Sequence, residues 1–192
     1  MAEPSLSPGR LEAFSDGVFA IIITIMVLDL KVPAQNGPAG LVNLWPVFLS
    51  YLISYVLVAT YWVNHHHIFH QVRSVNNRIL WTNIGLLFCI SLVPFFTAYM
   101  GLKRVDSFSA ALYCVIMLLC GVSFLALRGA IAAQFPVDPH FTAANRPAFR
   151  KNLVSVGLYC VAIPGAYLSP AFSLAIVALI VIAYFLPNAW VE

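Results

Sequence analysis

The residues of this chain that could do chemistry stand in two places. One is the stretch 10–30, RLEAFSDGVFAIIITIMVLDL, where Arg10, Glu12, Ser15 and Asp16 lead into an almost unbroken apolar run. The other is 64–70, NHHHIFH, which holds four of the five histidines. A carboxylate beside a hydrocarbon-spanning segment is expensive, so it faces protein or water and has a partner. His66 and His70, four residues apart, would put two imidazoles on one helix face as a metal pair does. No cysteine or carboxylate stands near them in the sequence, and polar residues are commonplace at a membrane boundary, so no metal site is expected. Ser15 has Asp16 beside it and no histidine placed as its base. With no HExxH or paired glutamates either, an enzyme is not expected.

These groups sit in a chain that cannot cover a water-facing surface. Of its 192 residues 61% are hydrophobic and 9% charged, and mean hydropathy is +0.90, against about 25% charged residues in a soluble domain. It reads as an all-α polytopic membrane protein with room for about six spans of roughly 20 residues. The formal charge of +3 is small and scattered, which excludes nucleic-acid binding as a reading. Cys89, Cys114, Cys120 and Cys160 all fall in apolar runs and read as small buried hydrophobes. The first ten residues, with Glu3 and two prolines, make a poor signal peptide, so the first span is expected to stay in the protein.

The elements that must position the polar groups follow from breakers and apolar runs. Spans are expected at about 11–30, 44–66, 79–101, 108–127, 152–168 and 171–189, forming one domain. The breaker-rich 34–40 reads as a loop, Pro94 as a kink in the third span, and Pro164-Gly165 as an interruption of the fifth. The polar segment 134–151 reads as a long loop with room for an interfacial piece. With both termini cytoplasmic, Arg10, Arg73, Arg78, Arg128, Arg146, Arg150 and Lys151 lie inside and only Lys31, Lys103 and Arg104 outside. That asymmetry favours the orientation.

On a helical wheel of the first span, with Asp16 at 0°, Ile21, Ile25 and Leu28 fall within about 120–180°. Thr24 borders this stripe, and Arg10, Phe14 and Gly17 extend it. Asp16 lies opposite, among Ala13, Ala20 and Val27. Small residues there would let another helix approach closely, making Asp16 a buried polar clamp. The apolar stripe faces lipid, core or a symmetry axis.

Arg10-x-x-x-Phe14-Ser15-Asp16 matches the RxxxFSD signature of the transmembrane protein 175 family, the lysosomal potassium channels and their single-repeat prokaryotic relatives. Trp62-Val63-Asn64-His65-His66 with Phe69 resembles the family's WxxHH segment. Trp81-x-Asn83 and Leu92-Val93-Pro94-Phe95-Phe96-Thr97 resemble its third helix. The chain is identified on these matches as a prokaryotic single-repeat member. The resemblance implies a homotetramer of six-helix subunits in a cell membrane, conducting potassium ions in preference to sodium. Its pore would be lined by first helices, with Ile21, Ile25 and Leu28 as apolar rings and Thr24 adjacent. It further implies a structural network of Arg10, Ser15, Asp16, His65 or His66, and Asn83, with Trp62 a candidate member. No cofactor is expected, potassium being only the permeant ion, and the lipid bilayer is the other partner. The competing reading is a proton-coupled transporter using Asp16 and a histidine, against which stands the lack of paired repeats.

Overall fold

The structure, a computed structural model, describes residues 7–33, 37–102, 105–135 and 138–185. The chain's first six residues, part of the 34–40 linker, Lys103, Arg104 and the last part of the sixth expected span lie outside the described residues.

Helix α1, Pro8–Leu28, carries Pro8 in its first turn, where a missing N–H matters least. Its 21 residues span roughly 30 Å, the thickness of a bilayer's hydrocarbon core. A short α2, Pro38–Asn43, follows Gly37, whose φ of 90° suits a residue without Cβ. Helix α3, Trp45–Phe69, has Pro46 in its first turn and ends in the histidine cluster.

Asn76 caps α4, Asn77–Ser91, by accepting from the Ile79 N–H at 2.9 Å. The third apolar run breaks at Leu92, two residues before Pro94, and resumes as α5, Val93–Leu102. The expected kink is therefore a junction between two helices, because the proline leaves a carbonyl in the preceding turn without its usual donor.

Helix α6, Ser107–Ala132, starts at a capping box in which the Asp106 side chain accepts from the Ser109 N–H at 2.7 Å. It runs five residues past its expected end. Helix α7, Pro139–Leu168, corrects two expectations. Segment 139–151 is helical rather than looped, because Asp138 accepts from the Phe141 N–H at 3.0 Å and Pro139 sits in the first turn. Pro147 and Pro164 both lie inside the helix, which continues through Pro164-Gly165 to Leu168. Helix α8, Pro170–Phe185, turns back at once. Gly165 permits this, since a Cβ there would meet the Phe172 ring at 2.8 Å, and Ser173 Oγ donates to the Ala162 carbonyl at 2.7 Å.

Pro8–Leu28, Trp45–Phe69, the run Asn77–Gly101 and Ser107–Ala132 are long and apolar enough to cross a membrane, and Pro170–Tyr184 is a shorter apolar helix. No strand occurs among the described residues. The core is built on α6, which packs against α4, α5, α7 and α8, while α1 packs on α3, α4 and α5. Inside it, Thr97 Oγ1 donates to Ser54 Oγ at 2.8 Å, and Ser54 Oγ bonds Tyr113 Oη at 2.7 Å, tying α5, α3 and α6 together. Of the four cysteines, Cys114 and Cys120 are buried and Cys89 half-buried. Cys160, expected inside, is exposed on the outer side of α7.

Candidate pore helix and its polar anchor

Helix α1 divides by face. Leu11, Ser15, Phe19, Ile22 and Met26 are buried, a stripe at helical spacing that forms the contact with the rest of the subunit. Phe14, Ile21, Ile25 and Leu28 are 57%, 58%, 46% and 76% exposed, and Thr24 is exposed beside them. The Thr24 hydroxyl turns back on its own helix, bonding the Ala20 carbonyl at 3.0 Å and that of Ile21 at 2.9 Å.

One expectation is reversed here. Ala13, Ala20 and Val27, the small-residue side around Asp16, are exposed and do not receive another helix of the subunit. The buried polar member of the signature is Ser15 rather than Asp16, because the face that packs is centred on Ser15 and Phe19.

The anchor is a chain of hydrogen bonds across three helices. Ser15 Oγ donates to the Leu11 carbonyl at 2.8 Å and therefore accepts from Asn83 Nδ2 at 2.9 Å. Asn83 Oδ1 must then accept, so the His65 Nε2–H donates to it at 2.8 Å. His65 thus carries its proton on Nε2, leaving Nδ1 buried and without a partner. Its ring stacks on Phe69 with centroids 4.2 Å apart and lies 5.5 Å from Phe19. Ser15, His65 and Asn83 are each fully buried. Unmaking any link would strand a polar group in an apolar surround.

Asp16 and His66 belong to a second, more exposed cluster. The Trp62 indole N–H donates to Asp16 Oδ1 at 2.8 Å. Trp62 stacks on His66 at 6.0 Å, whose Nδ1 lies 3.0 Å from Glu12 Oε1. His66 Nε2 and His70 Nε2 are 2.9 Å apart. The carboxylate missing beside the histidines in the sequence is therefore supplied in space by Glu12, about one helical turn from the signature aspartate. Glu12, His66 and His70 offer ligand atoms within 4.8 Å of one another. As arranged, the two edges of the His66 ring face different neighbours, making the trio a hydrogen-bond chain.

Arg10 is exposed, and no ion pair reaches it among the described residues, so it is not the cation of this cluster. No hydrogen bond joins Asp16 to a histidine there either; the donor it finds is Trp62. Glu12 and His70 are members of the cluster that the implied network of Arg10, Ser15, Asp16, the histidine pair and Asn83 did not include. Glu12 and Asp16 are four apart on one helix, as are Trp62, His66 and His70 along another, a spacing that places each set on one face.

The fold and these sites define a multi-pass membrane protein in which one exposed apolar helix is tied to its neighbours at its polar end. The family model described as endosomal/lysosomal potassium channel TMEM175 matches residues 10–94. A potassium channel of Chryseobacterium sp. (strain P1-3) is 36% identical over 187 residues, covering 97% of both chains. One of Streptomyces collinus is 35% identical, covering 92% of this chain and 90% of the relative. The crystal structure of a lysosomal potassium-selective channel TMEM175 homologue from Chamaesiphon minutus aligns with a TM-score of 0.81 at 32% identity, over 94% of this chain and 97% of that one.

This chain belongs to the TMEM175 family. It is a cation channel of the membrane, from a family of channels rather than enzymes. The mouse endosomal/lysosomal proton channel TMEM175 is 36% identical over 99 residues, and the chain spans about 19% of that protein's length.

Proposed function

We propose that the protein is a passive potassium channel, modestly selective over sodium, whose pore is lined by α1 of four identical subunits. Each subunit is one unit of six spans with both termini cytoplasmic, the apolar part of α7 and α8 being the fifth and sixth. The permeant is the potassium ion, and no cofactor takes part.

The observation that carries this reading is the division of α1. Its polar end and one face are fastened to the subunit, while Ile21, Ile25 and Leu28 stand outside the subunit's own packing. Copies of that stripe around an axis make a narrow dry neck, since a single lining helix needs several copies to enclose a path. An apolar ring removes water without offering oxygen ligands, so the barrier follows the cost of dehydration. Potassium holds its water less tightly than sodium and crosses more readily. Such a constriction closes by dewetting, with little movement. The names of the bacterial relatives support potassium as the ion.

Purified protein in liposomes should pass potassium down its gradient with no proton gradient imposed. Ile21→Asn should raise sodium flux relative to potassium, because the ring becomes a ligand. An unchanged ratio would remove Ile21 from the filter. Potassium movement only when protons move with it would replace the channel by a coupled transporter. The subunit count in lipid, expected to be four, tests the assembly separately.

A further inference from the structure

Arg128 lies one turn before the end of α6 and is 5% exposed. Its guanidinium carbon sits 5.2 Å from the centroid of the Phe124 ring, and its Nε is buried with no hydrogen-bond partner. Among the described residues no carboxylate lies within ion-pair distance of it; the ion pair found there joins His66 to Glu12. The other buried atoms without a partner belong to His65, Gln134 and Asn152. Those of Gln134 and Asn152 are neutral amides, and that of His65 is the unprotonated ring nitrogen. Arg128 differs in carrying a full charge. A charge held in an apolar surround without a counter-charge is strongly disfavoured, so the arrangement calls for an anion from outside the chain.

The place for it is present. Arg128 lines a cavity of about 280 Å³ shared with Phe135, Phe141, Thr142, Asn145, Arg146 and Phe149. Phe135 and Phe141 stack with centroids 4.2 Å apart at 10°, and the Arg73 guanidinium lies 4.6 Å from the Phe135 ring. Asn145 Nδ2 donates to Gln71 Oε1 at 2.8 Å, fixing this part of α7 against the turn after α3. The cavity thus has a buried cation in its depth, a second cation exposed at Arg146, polar side chains between them and aromatic walls. It lies where the end of an apolar helix of membrane-spanning length meets the polar third of α7.

We propose that this cavity binds the phosphate of an anionic phospholipid. Arg128 and Arg146 take the phosphate oxygens, for which the guanidinium fork is suited, while Phe135, Phe141 and Phe149 flank the glycerol and the first acyl carbons. In the orientation given above, the lipid belongs to the cytoplasmic leaflet, where basic pockets between spans meet anionic headgroups. Aromatic walls give a free hydrated phosphate nothing, which is why the source is a lipid.

The test uses the full-length protein in a neutral detergent with added phosphatidylglycerol, phosphatidylcholine or glycerol 3-phosphate. Native mass spectrometry should show phosphatidylglycerol retained over phosphatidylcholine by about thirtyfold, the order expected for two arginines at the surface. Melting should shift upward with phosphatidylglycerol alone. Arg128→Met should remove the preference while melting in phosphatidylcholine no earlier than the wild type, since it deletes an unpaired buried charge and keeps the volume. If that variant does not fold, Arg146→Gln at the exposed position carries the test and should lower the preference by at least about threefold. Equal retention of the two lipids by the wild type, a preference unchanged in Arg146→Gln, or protection by glycerol 3-phosphate as strong as by phosphatidylglycerol would each overturn the assignment.

Discussion

Ile21 and Ile22 are neighbours with the same side chain, yet one is 58% exposed and the other 5%. They stand for the two faces of α1. On the inner face, Leu11, Ser15, Phe19, Ile22 and Met26 are held by α3, α4 and α5, with Ser15 inserted into a fully buried chain to Asn83 and His65. On the outer face, Phe14, Ile21, Ile25 and Leu28 touch little of the subunit, and Thr24 satisfies its hydroxyl on its own backbone. In a bilayer both environments are apolar, so hydrophobicity alone does not choose between them. Tight packing and paired polar groups do, since helix association in lipid rests on van der Waals contact and hydrogen bonds rather than on expulsion of water.

Substitutions that set one face against the other should rank by how much of this pairing they remove. Asn83→Ala deletes the middle of the buried chain and leaves His65 and Ser15 short of partners. It should lower the unfolding free energy by about 2–3 kcal/mol, read as a clear drop in melting temperature in detergent. Ile22→Ala opens a cavity on the packed face at a cost of about 1–2 kcal/mol, below the range for soluble cores because lipid replaces water as the reference. Ile21→Ala should move melting by less than about 0.5 kcal/mol while changing ion flux. Equal destabilisation by the two alanines would erase the distinction between the faces. Trp62→Phe keeps the stacking on His66 and removes the indole donor to Asp16, costing about 0.5–1 kcal/mol. The smallest effect belongs to Thr24→Val, whose lost bonds are local to α1, with a change in melting under about 0.5 kcal/mol and any consequence confined to flux.

The polar residues at the end of α1 were legible beforehand because they break an apolar run. Arg10, Ser15, Asp16, His65, His66 and Asn83 stand out by type and fall in the ordered motifs of the family. The geometry among them was not legible. Ser15 is two positions from Gly17 and one from Asp16, and only the packing of α1 on α4 decides that the hydroxyl rather than the carboxylate is buried. Arg10 stands beside Asp16 in the network that the resemblance implies, but it is exposed and the Trp62 indole donates to Asp16 instead. Glu12 and His66 are far apart in the chain and meet because α1 and α3 pack together.

The helical state of 139–151 was hidden for another reason. Its prolines and charges read as loop, yet Asp138 and Pro139 begin a helix, and Pro147 is accommodated inside it. A cap is a local interaction that composition does not weigh. Arg128 likewise read as one more inside charge; its burial follows from α6 lying at the centre of the bundle.

What the sequence determined by itself is the solvent: so few charges over so many apolar residues exclude a water-covered surface, and the long apolar runs mark where membrane-length helices stand. Which side of each helix meets protein, and which buried group finds a partner, was decided only by the tertiary structure. The physical reason is that in lipid an apolar residue gains nothing from being inside, so the pattern along the chain carries little record of which face packs.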